Sequence, residues 1–355
     1  MKRYFETGDK VIKDKTLIIL LLDFAKQRGI HPDKLLKGSK LFESDLSKPE
    51  LSISHSQFTK VIVNAKKLIN KPELPFLLGS RLFPTQLGFI GLALSNSRNL
   101  EDMLRIIKAY QSDVFPFMFL LEHRQQDKRF FIFNHAIAAE SDDYHLFMCE
   151  LLATAIITVV KWHMGNLPAL KIRFSYQQPT HIEQYHAYFG ECAHFLPASK
   201  QAILTSKKNN VLGLQITIAS NTMKVPFHDS NQIIKRFQLE QSRRSYYCVG
   251  IIQFTLESIN KLFSHGNVTQ ESIAESLGIS LATLKRKLAS HNTCYQQLLD
   301  LYRQQQAVLL LTEFGQSNDE IASALKFSDI TNFRRSFKRW TGLTPNELKM
   351  GLIGH

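Results

Sequence analysis

Close to the C-terminal end, the order of apolar and polar positions predicts three short helices. Ser317, followed three residues later by Glu320, has the form of a capping box, in which both side chains satisfy backbone N–H groups at a helix start. In the second helix Phe333 and Phe337 lie four residues apart on one apolar face, and the opposite face is basic. Gly342 can end this helix in the left-handed conformation. This order indicates a helix–turn–helix unit, whose second helix enters the DNA major groove.

The same pattern occurs a second time, 48 residues upstream, where Ile273-Ala274 takes the place of Ile321-Ala322. Beyond the turn the offset becomes 49 residues, and the equivalent positions are Leu284 and Phe333, Arg286 and Arg335, and Leu288 and Phe337. Each copy therefore carries an arginine between two core positions of its second helix. The repeat predicts two recognition helices in one chain.

Between the two copies, Tyr295 to Thr312 has apolar residues close to a 3.6-residue period and contains neither glycine nor proline. A helix of this length spans about 25 Å at 1.5 Å per residue. It can hold two recognition helices roughly 34 Å apart, which is one turn of DNA, so one chain can occupy two successive major grooves.

From about Val249 to Lys349 the sequence resembles the DNA-binding domain of the AraC/XylS family of bacterial transcription regulators. The resemblance is carried by Ile321-Ala322, Phe327-Ser328, Asn332-Phe333, Phe337-Lys338-Arg339-Trp340 and Thr341-Gly342-x-Thr344-Pro345. The chain departs from the family pattern at Lys326 and Asn292, which replace glycines that are usual there. If Lys326 needs a positive φ, the cost is roughly 1 kcal/mol relative to glycine.

The resemblance implies which side chains face DNA and which face the core. The expected base-reading residues are Ala282, Lys285, Arg286, Thr331, Arg334 and Arg335. The residues expected at phosphates or helix caps are Ser280, Lys287, Ser328, Lys338 and Arg339. Promoter DNA and RNA polymerase are the macromolecular partners that the family implies.

The pattern in the first two thirds of the chain predicts a helical front followed by mixed strands and helices. Helices are expected at residues 16–27, 32–36, 54–69, 74–82, 99–110, 145–164, 181–189 and 229–239. Strands are expected at 117–123, 129–135 and 170–176, with further short strands up to residue 218. The apolar run at Leu17–Leu22 is too short to cross a bilayer, has no cleavage site after it, and fits the buried face of the first helix.

Residues Leu87–Leu94, with Asn99-Leu100 and the segment Pro179 to Phe195, resemble the effector or dimerisation domain of the AraC branch that includes ornithine- and arginine-responsive members. That resemblance implies an α+β fold rather than the double-stranded barrel of the arabinose regulator. We therefore expect an α+β effector domain at 1–237, a linker at 238–245, and an all-α domain at 246–355 with two helix–turn–helix units joined by a long helix.

Charge and cysteine content change this picture little. The net charge of +13 favours an anionic partner, but most of the excess lies before residue 241, so bulk charge does not locate the DNA site. The four cysteines are at least 43 residues apart, which excludes zinc-finger spacing and favours cytoplasmic thiols. His145 and His163 are too far apart on one helix to share a metal. No metal or cofactor is expected.

The effector site has no sequence signature. Phe115–Phe119 and Phe130–Phe133 fit either an effector pocket or core packing, and core packing is the preferred interpretation. Arg105 and Arg173 can hold an anion or lie solvated at the surface. The effector therefore stays unidentified at this level.

The sequence thus predicts a cytoplasmic, sequence-specific DNA-binding transcription regulator. We expect an activator that acts as a homodimer, responds to a small molecule, and has no membrane partner and no enzymatic activity. Two other interpretations remain: a constitutive regulator whose front domain only dimerises, and an alkyl-transfer repair enzyme with an AraC-like DNA reader.

Overall fold

The computed structural model describes residues 4–83, 87–125, 127–137, 141–195, 214–242, 249–263 and 268–353. The chain forms two compact units. The N-terminal unit comprises Met1–Phe174, Thr180–His194 and Gly213–Gln253, and the C-terminal unit comprises Ser175–Pro179, Phe195–Leu212 and Phe254–His355. The first unit mixes strands and helices and the second is helical, so the predicted fold class is confirmed.

An open five-stranded sheet organises the N-terminal unit. Its strands, numbered by position in the chain, are β4 (Met118–Gln125), β5 (Lys128–His135), β6 (Leu170–Arg173), β7 (Ala193–His194) and β8 (Leu214–Ala219), in the order β4-β5-β8-β6-β7. All neighbours are antiparallel except β6 and β7. The β4–β5 hairpin lies where the alternating aromatic pattern predicts it.

Short strands complete the same unit. They are β1 (Tyr4–Phe5), β2 (Lys10–Ile12), β3 (Ile53–Ser54) and β9 (Val249–Gly250). β1 pairs in parallel with β9, and a Cβ atom at Gly250 would lie 1.9 Å from the carbonyl oxygen of Ala136. Because only glycine fits there, β9 packs closely within the N-terminal unit.

Eleven helices of the described residues belong to this unit. They are α1 (Thr16–Lys26), α2 (Pro32–Leu36), α3 (Glu43–Leu46), α4 (His55–Ile69), α5 (Leu74–Arg81), α6 (Gly88–Ser95), α7 (Leu100–Ala109), α8 (Gln111–Val114), α9 (Asp142–Met164), α10 (Ile182–Phe189) and α11 (Gln232–Gln241). Asparagine, serine and proline stand at the starts that the sequence predicts, with Ser54 capping α4 and Asn99 capping α7.

The long helix α9 forms the centre of this unit. A Cβ atom at Gly79 of α5 would lie 2.5 Å from the carbonyl oxygen of Leu151, so glycine allows α5 and α9 to pack closely. In the described part of the chain, Asp143–Met164 is the one segment apolar and long enough to cross a membrane, and 72% of its most apolar window is buried in the protein. Such burial is the property of a core helix.

The predicted linker at 238–245 remains a prediction. Gln238 to Gln241 form the last turn of α11, and residues 243–248 lie outside the described ranges. The boundary between the two compact units falls after Gln253, inside the helix α12 (Ile251–Phe263).

The C-terminal unit contains two helix–turn–helix pairs and a connecting helix. Its helices after α12 are α13 (Gln270–Leu277), α14 (Leu281–Ser290), α15 (Tyr295–Thr312), α16 (Asn318–Ala324), α17 (Ile330–Thr341) and α18 (Pro345–Ile353). The predicted capping box is present, because Ser317 Oγ accepts from the N–H of Glu320 at 3.3 Å and Glu320 Oε2 accepts from the N–H of Ser317 at 2.7 Å. Gly342 ends α17 with φ 74°.

Candidate nucleic-acid interface and apolar cavity

The first recognition helix is α14, and its turn has the conformation that the sequence predicts. Gly278 ends α13 with φ 66°, and Ser280 caps α14 by accepting from the N–H of Thr283 at 3.2 Å. Leu284 and Leu288 are fully buried. Ala282, Lys285 and Arg286, the residues expected to read bases, are exposed on the other face.

The second recognition helix, α17, presents an equivalent face. Phe333 and Phe337 are fully buried, and the expected base-reading residues Thr331, Arg334 and Arg335 are exposed. The 49-residue offset between the two recognition helices therefore relates positions of equal burial as well as similar sequence.

The predicted cap of α17 was wrong by one residue. The N-cap is Asp329, whose Oδ1 accepts from the N–H of Asn332 at 2.7 Å, and the hydroxyl of Ser328 donates to the Asp329 carboxylate at 3.1 Å. The second turn is one residue longer than the first, so the residue equivalent to Ser280 is Asp329 and not Ser328. The 49-residue offset was the signal that could have shown this.

Lys326 and Asn292 adopt the left-handed conformation in place of the usual glycines, with φ values of 58° and 54°. The Lys326 side chain makes compensating contacts. Its ammonium group donates to the carbonyl of Phe263 at the end of α12 and lies 4.8 Å from the centre of the Phe263 ring. A cation near the C-terminal carbonyls of a helix is favourable, and so is a cation over an aromatic face.

The connecting helix α15 holds the second pair in place. The guanidinium of Arg303 lies 4.9 Å from the centre of the Phe327 ring and donates to the carbonyl of Lys326 at 3.5 Å. The next residue, Gln304, donates to the carbonyl of Trp340 at 3.2 Å. The sequence reasoning missed these residues, because a polar side chain on an amphipathic helix has no pattern that reveals its partner.

The basic side chains differ in how free they are. Within the described ranges, Lys285, Arg286, Arg334, Arg335 and Lys338 make no hydrogen bond or salt bridge to the protein. Exposed cations without an internal partner are available to contact an anionic ligand.

Two other residues expected at phosphates are less available. Arg339 forms a salt bridge to Asp300 of α15 at 3.0 Å, and Lys287 is half-buried. Of these three predicted phosphate contacts, Lys338 is therefore the one most available to DNA, because Arg339 is paired with Asp300 and Lys287 is half-buried.

The N-terminal unit encloses an apolar cavity of about 170 Å³ between the sheet and helices α6 to α9. Phe119, Phe131 and Phe133 line it, whereas Phe117 and Phe130 are buried in the core. The aromatic strands thus contribute both to the wall of a cavity and to the core. Gln111 is the one polar residue among the described residues of the lining.

In the sequence Leu104 lies at helical spacing from Leu100 and Ile107, which predicts an inward apolar face, and the structure places it in the wall of this cavity, where it is half-buried. The helical period correctly identified the inward face of α7. It did not show that the space inside this face is incompletely filled. Arg105 is exposed and pairs with Glu101 at 3.8 Å, away from the lining.

The histidines of α9 lie in separate surroundings. His145 Nδ1 is 2.8 Å from His135 Nε2, and its Nε2 is 3.3 Å from the Sγ of Cys149. His163 stacks on Phe227 with ring centres 4.0 Å apart. Burial lowers the pKa of His145 to about 3 and that of His163 to about 4. Both imidazoles are therefore neutral at neutral pH.

Two family models match this chain. The arabinose-binding domain of AraC transcription regulators, N-terminal, matches residues 29–206, and a helix–turn–helix domain matches residues 273–350. The chain belongs to the AraC family of transcription regulators. The resemblance seen in the sequence is thereby confirmed.

AraC-family relatives cover either the whole chain or its DNA-binding part. The ornithine utilization regulator of Pseudomonas aeruginosa is 26% identical over 336 residues, which are 93% of this chain and 94% of that protein. The transcriptional regulator GadX of Escherichia coli O6:H1 is 34% identical over 89 residues, which are 25% of this chain and 32% of that protein. This chain is accordingly a DNA-binding transcription regulator.

Among solved structures, the transcriptional regulator CdpR from Pseudomonas aeruginosa matches 94% of this chain and 98% of its own, with 18% identity and a TM-score of 0.45.

Proposed function

We propose that this AraC-family regulator reads two successive major grooves with one chain and activates transcription in response to a small effector. The observation that supports the reading mode is the repeated exposed face of α14 and α17, with Arg286 and Arg335 at equivalent positions and, within the described residues, without a hydrogen bond or salt bridge to the protein. An unpaired, exposed arginine can donate two hydrogen bonds to a guanine edge.

The other exposed residues take supporting roles in this proposal. Lys285 and Arg334 contact base edges or the adjacent phosphates, and Ala282 and Thr331 offer methyl groups to thymine. The N-terminal end of α14, capped by the neutral Ser280, accepts a phosphate. At α17 the Asp329 carboxylate occupies that end, so Lys338 is the better phosphate ligand there.

Footprinting of the full-length protein on DNA selected from a random pool tests the reading mode. We expect two protected base clusters per chain, about one helical turn apart on one face of the DNA. A single cluster per chain, or clusters on opposite faces, would rule out simultaneous reading by α14 and α17.

Dimerisation is the second part of the proposal, and α11 supports it. Its inner face is held to α6 and α7 by polar contacts, including the salt bridge between Lys235 and Asp102 at 2.5 Å. On its outer face Ile233 is 84% exposed and Phe237 is 58% exposed. Two apolar side chains four residues apart form a stripe that a second copy of the helix can cover with two-fold symmetry.

Effector response is the third part, and the apolar cavity supports it. A preformed, mostly apolar cavity with one polar group has the general form of a small-molecule site. In this proposal the liganded dimer recruits RNA polymerase at its promoter. Transcription in vitro with purified RNA polymerase, with and without effector, measures both the sign of regulation and the need for a ligand.

The rival enzymatic function needs a reactive thiolate. Burial raises the pKa of the Cys149 thiol, and burial also raises that of Cys192. A raised thiol pKa opposes nucleophilic or alkyl-accepting chemistry at neutral pH. The proposal therefore gives these cysteines no catalytic role.

A further inference from the structure

The cavity in the N-terminal unit has a lining that restricts what it can hold. Among the described residues, leucine, isoleucine, valine, methionine, phenylalanine and alanine make up the wall, and Gln111 is the single polar side chain. None of the described residues in the wall has an ionisable side chain. Leu104, in the middle of α7, and Phe115, which directly follows α8, are half-buried, so the cavity can be reached from that side.

We infer that this cavity binds an uncharged, largely apolar molecule consisting of one six-membered ring with a short alkyl substituent and a single hydroxyl or carbonyl group. The inference rests on the proposed effector response and specifies its ligand. It excludes basic amino acids and sugars, the ligand classes to which the names of the relative and of the family model refer.

The volume of the cavity limits the ligand to about one ring with a small substituent. An engineered apolar cavity of about 150 Å³ in another protein stays free of water and binds benzene. The present cavity, at about 170 Å³, is slightly larger. It therefore accommodates a ring and a small substituent, and a long acyl chain does not fit without displacement of α7 or α8.

The apolar lining of the cavity excludes basic amino acids and sugars. A basic amino acid would bring ammonium and carboxylate groups into a wall that offers no counter-charge, and an unpaired buried charge is strongly unfavourable. A sugar would bury several hydroxyl groups against a single carboxamide. Each hydroxyl left without a partner loses its hydrogen bonds to water and gains nothing in return.

Gln111 supplies the polar contact. Its Nε2 donates a long hydrogen bond of 3.4 Å to the carbonyl of Met118. Its carboxamide oxygen accepts no hydrogen bond from the described residues. This oxygen is free to accept from a ligand hydroxyl, and the amide can instead turn and donate to a ligand carbonyl.

Calorimetry and thermal shift on the full-length protein test the inference with 4-methylphenol, toluene, L-ornithine and L-arabinose. We expect 4-methylphenol to bind and stabilise the protein, toluene to bind about tenfold more weakly for want of one hydrogen bond, and the two polar probes to have no effect. Binding of ornithine or arabinose, or no binding of either ring compound, overturns the inference.

Two variants locate the site. Gln111→Leu should remove the tenfold preference for 4-methylphenol over toluene, a readout that general destabilisation does not change. Leu104→Trp should fill the cavity and abolish binding of both rings. Retention of the preference in a folded Gln111→Leu protein would show that the rings bind elsewhere and would overturn the assignment.

Transcription assays separate this inference from the proposed function. If 4-methylphenol binds in a Gln111-dependent way but changes neither DNA affinity nor transcription, the ligand class stands and the effector response fails. If transcription responds to a charged or sugar ligand in the Leu104→Trp protein, the effector response stands and the cavity assignment fails.

Discussion

Lys326 shows how a single residue can replace a glycine by making new contacts. Its backbone has φ 58°, which costs a side-chain-bearing residue roughly 1 kcal/mol. Its ammonium group contacts the carbonyl and the ring of Phe263, which offsets this cost. The strain and the compensation are therefore separable by mutation.

We expect Lys326→Ala to lower the free energy of unfolding by about 1–2 kcal/mol, because the strain remains and the contacts are lost. Lys326→Gly should be about 1 kcal/mol more stable than the alanine variant, since it removes the strain as well. Urea denaturation measures both. An alanine variant as stable as the glycine variant would contradict the positive-φ account.

Arg286 and Arg335 are the residues on which sequence discrimination should depend most. Arg286→Ala should weaken specific binding by roughly 1–3 kcal/mol and relax base preference in one half of the site, and Arg335→Ala should do so in the other half. Lys338→Ala should weaken specific and non-specific binding alike and lower the salt slope by about one.

Arg339→Ala is the matched control for these arginines, because its guanidinium is engaged with Asp300 at 3.0 Å. Its base preference should equal that of the wild type. Binding-site selection and salt titrations give the comparison. Unchanged discrimination in both the Arg286 and Arg335 variants would refute their role as base readers.

The buried histidines make stability depend on pH. His145 has a pKa of about 3 in the folded protein because it is buried, and burial also holds the pKa of His135 well below 6.5. Between the lowered pKa values of the folded protein and the ordinary value of 6.5 in the unfolded chain, the unfolded chain binds more protons than the folded one. The contribution of these histidines to stability is therefore complete above about pH 6.5 and is lost as the pH is lowered.

Unfolding measured between pH 7 and pH 5 should show this loss, and His145→Asn should reduce the dependence of stability on pH in this range. If His145→Asn loses as much stability between pH 7 and pH 5 as the wild type does, the loss belongs to groups other than His145.

Carboxylates affect stability at more acidic pH. Although burial opposes it, the ion pairs of Glu122 with Lys108, Arg124 and Arg129 hold its pKa at about 2, so its contribution is lost only below about pH 4.5.

At the scale of elements, α11 packs on α6 and α7 with one face, and its other face contacts a second copy in the proposed dimer. Phe237→Asp should shift the protein from dimer to monomer and weaken DNA binding, because a charge replaces an apolar contact. Phe42→Asp is the control, since Phe42 is 66% exposed and directly precedes α3. Sedimentation equilibrium distinguishes them, and a dimeric Phe237→Asp protein would exclude α11 from the interface.

Periodic elements could be predicted from the sequence because their burial follows local spacing. The helices α1, α4, α7 and α9 and the β4–β5 hairpin begin and end within a few residues of prediction, since caps and alternation are local signals. The cap of α17 was misplaced because the turn before it contains one more residue than its repeat. Local spacing does not show how far such an insertion moves the helix start.

The cavity could not be predicted, and the reason is physical. Leu104 lines the cavity and Ile106 is buried outside its lining, yet both are apolar residues on one helix. The sequence pattern determines which side of α7 avoids water. Whether opposing side chains fill the space beyond that side depends on packing between distant segments, which has no local signature.

At the scale of the whole molecule, the two compact units predict separable activities. A fragment of residues 251–355 should recognise the same DNA sequence as the full chain but more weakly, because the proposed dimer would contribute a second set of contacts. The same fragment carrying Arg335→Ala serves as control and should lose preference in one half of the site. A folded fragment that binds all sequences equally would contradict the modular organisation.

The connecting helix α15 has 18 residues, which is five complete turns or about 27 Å. In the proposed two-groove reading, this rod sets a constant interval between the bases that α14 and α17 touch. The promoter sequence can then change by single-base substitutions, each of which lowers the affinity by a limited amount. It cannot gain or lose one base pair inside the site, because the second groove would then be turned by roughly 35° and moved by about 3.4 Å relative to its helix. Natural selection should therefore remove insertions and deletions from these operators more strictly than it removes substitutions.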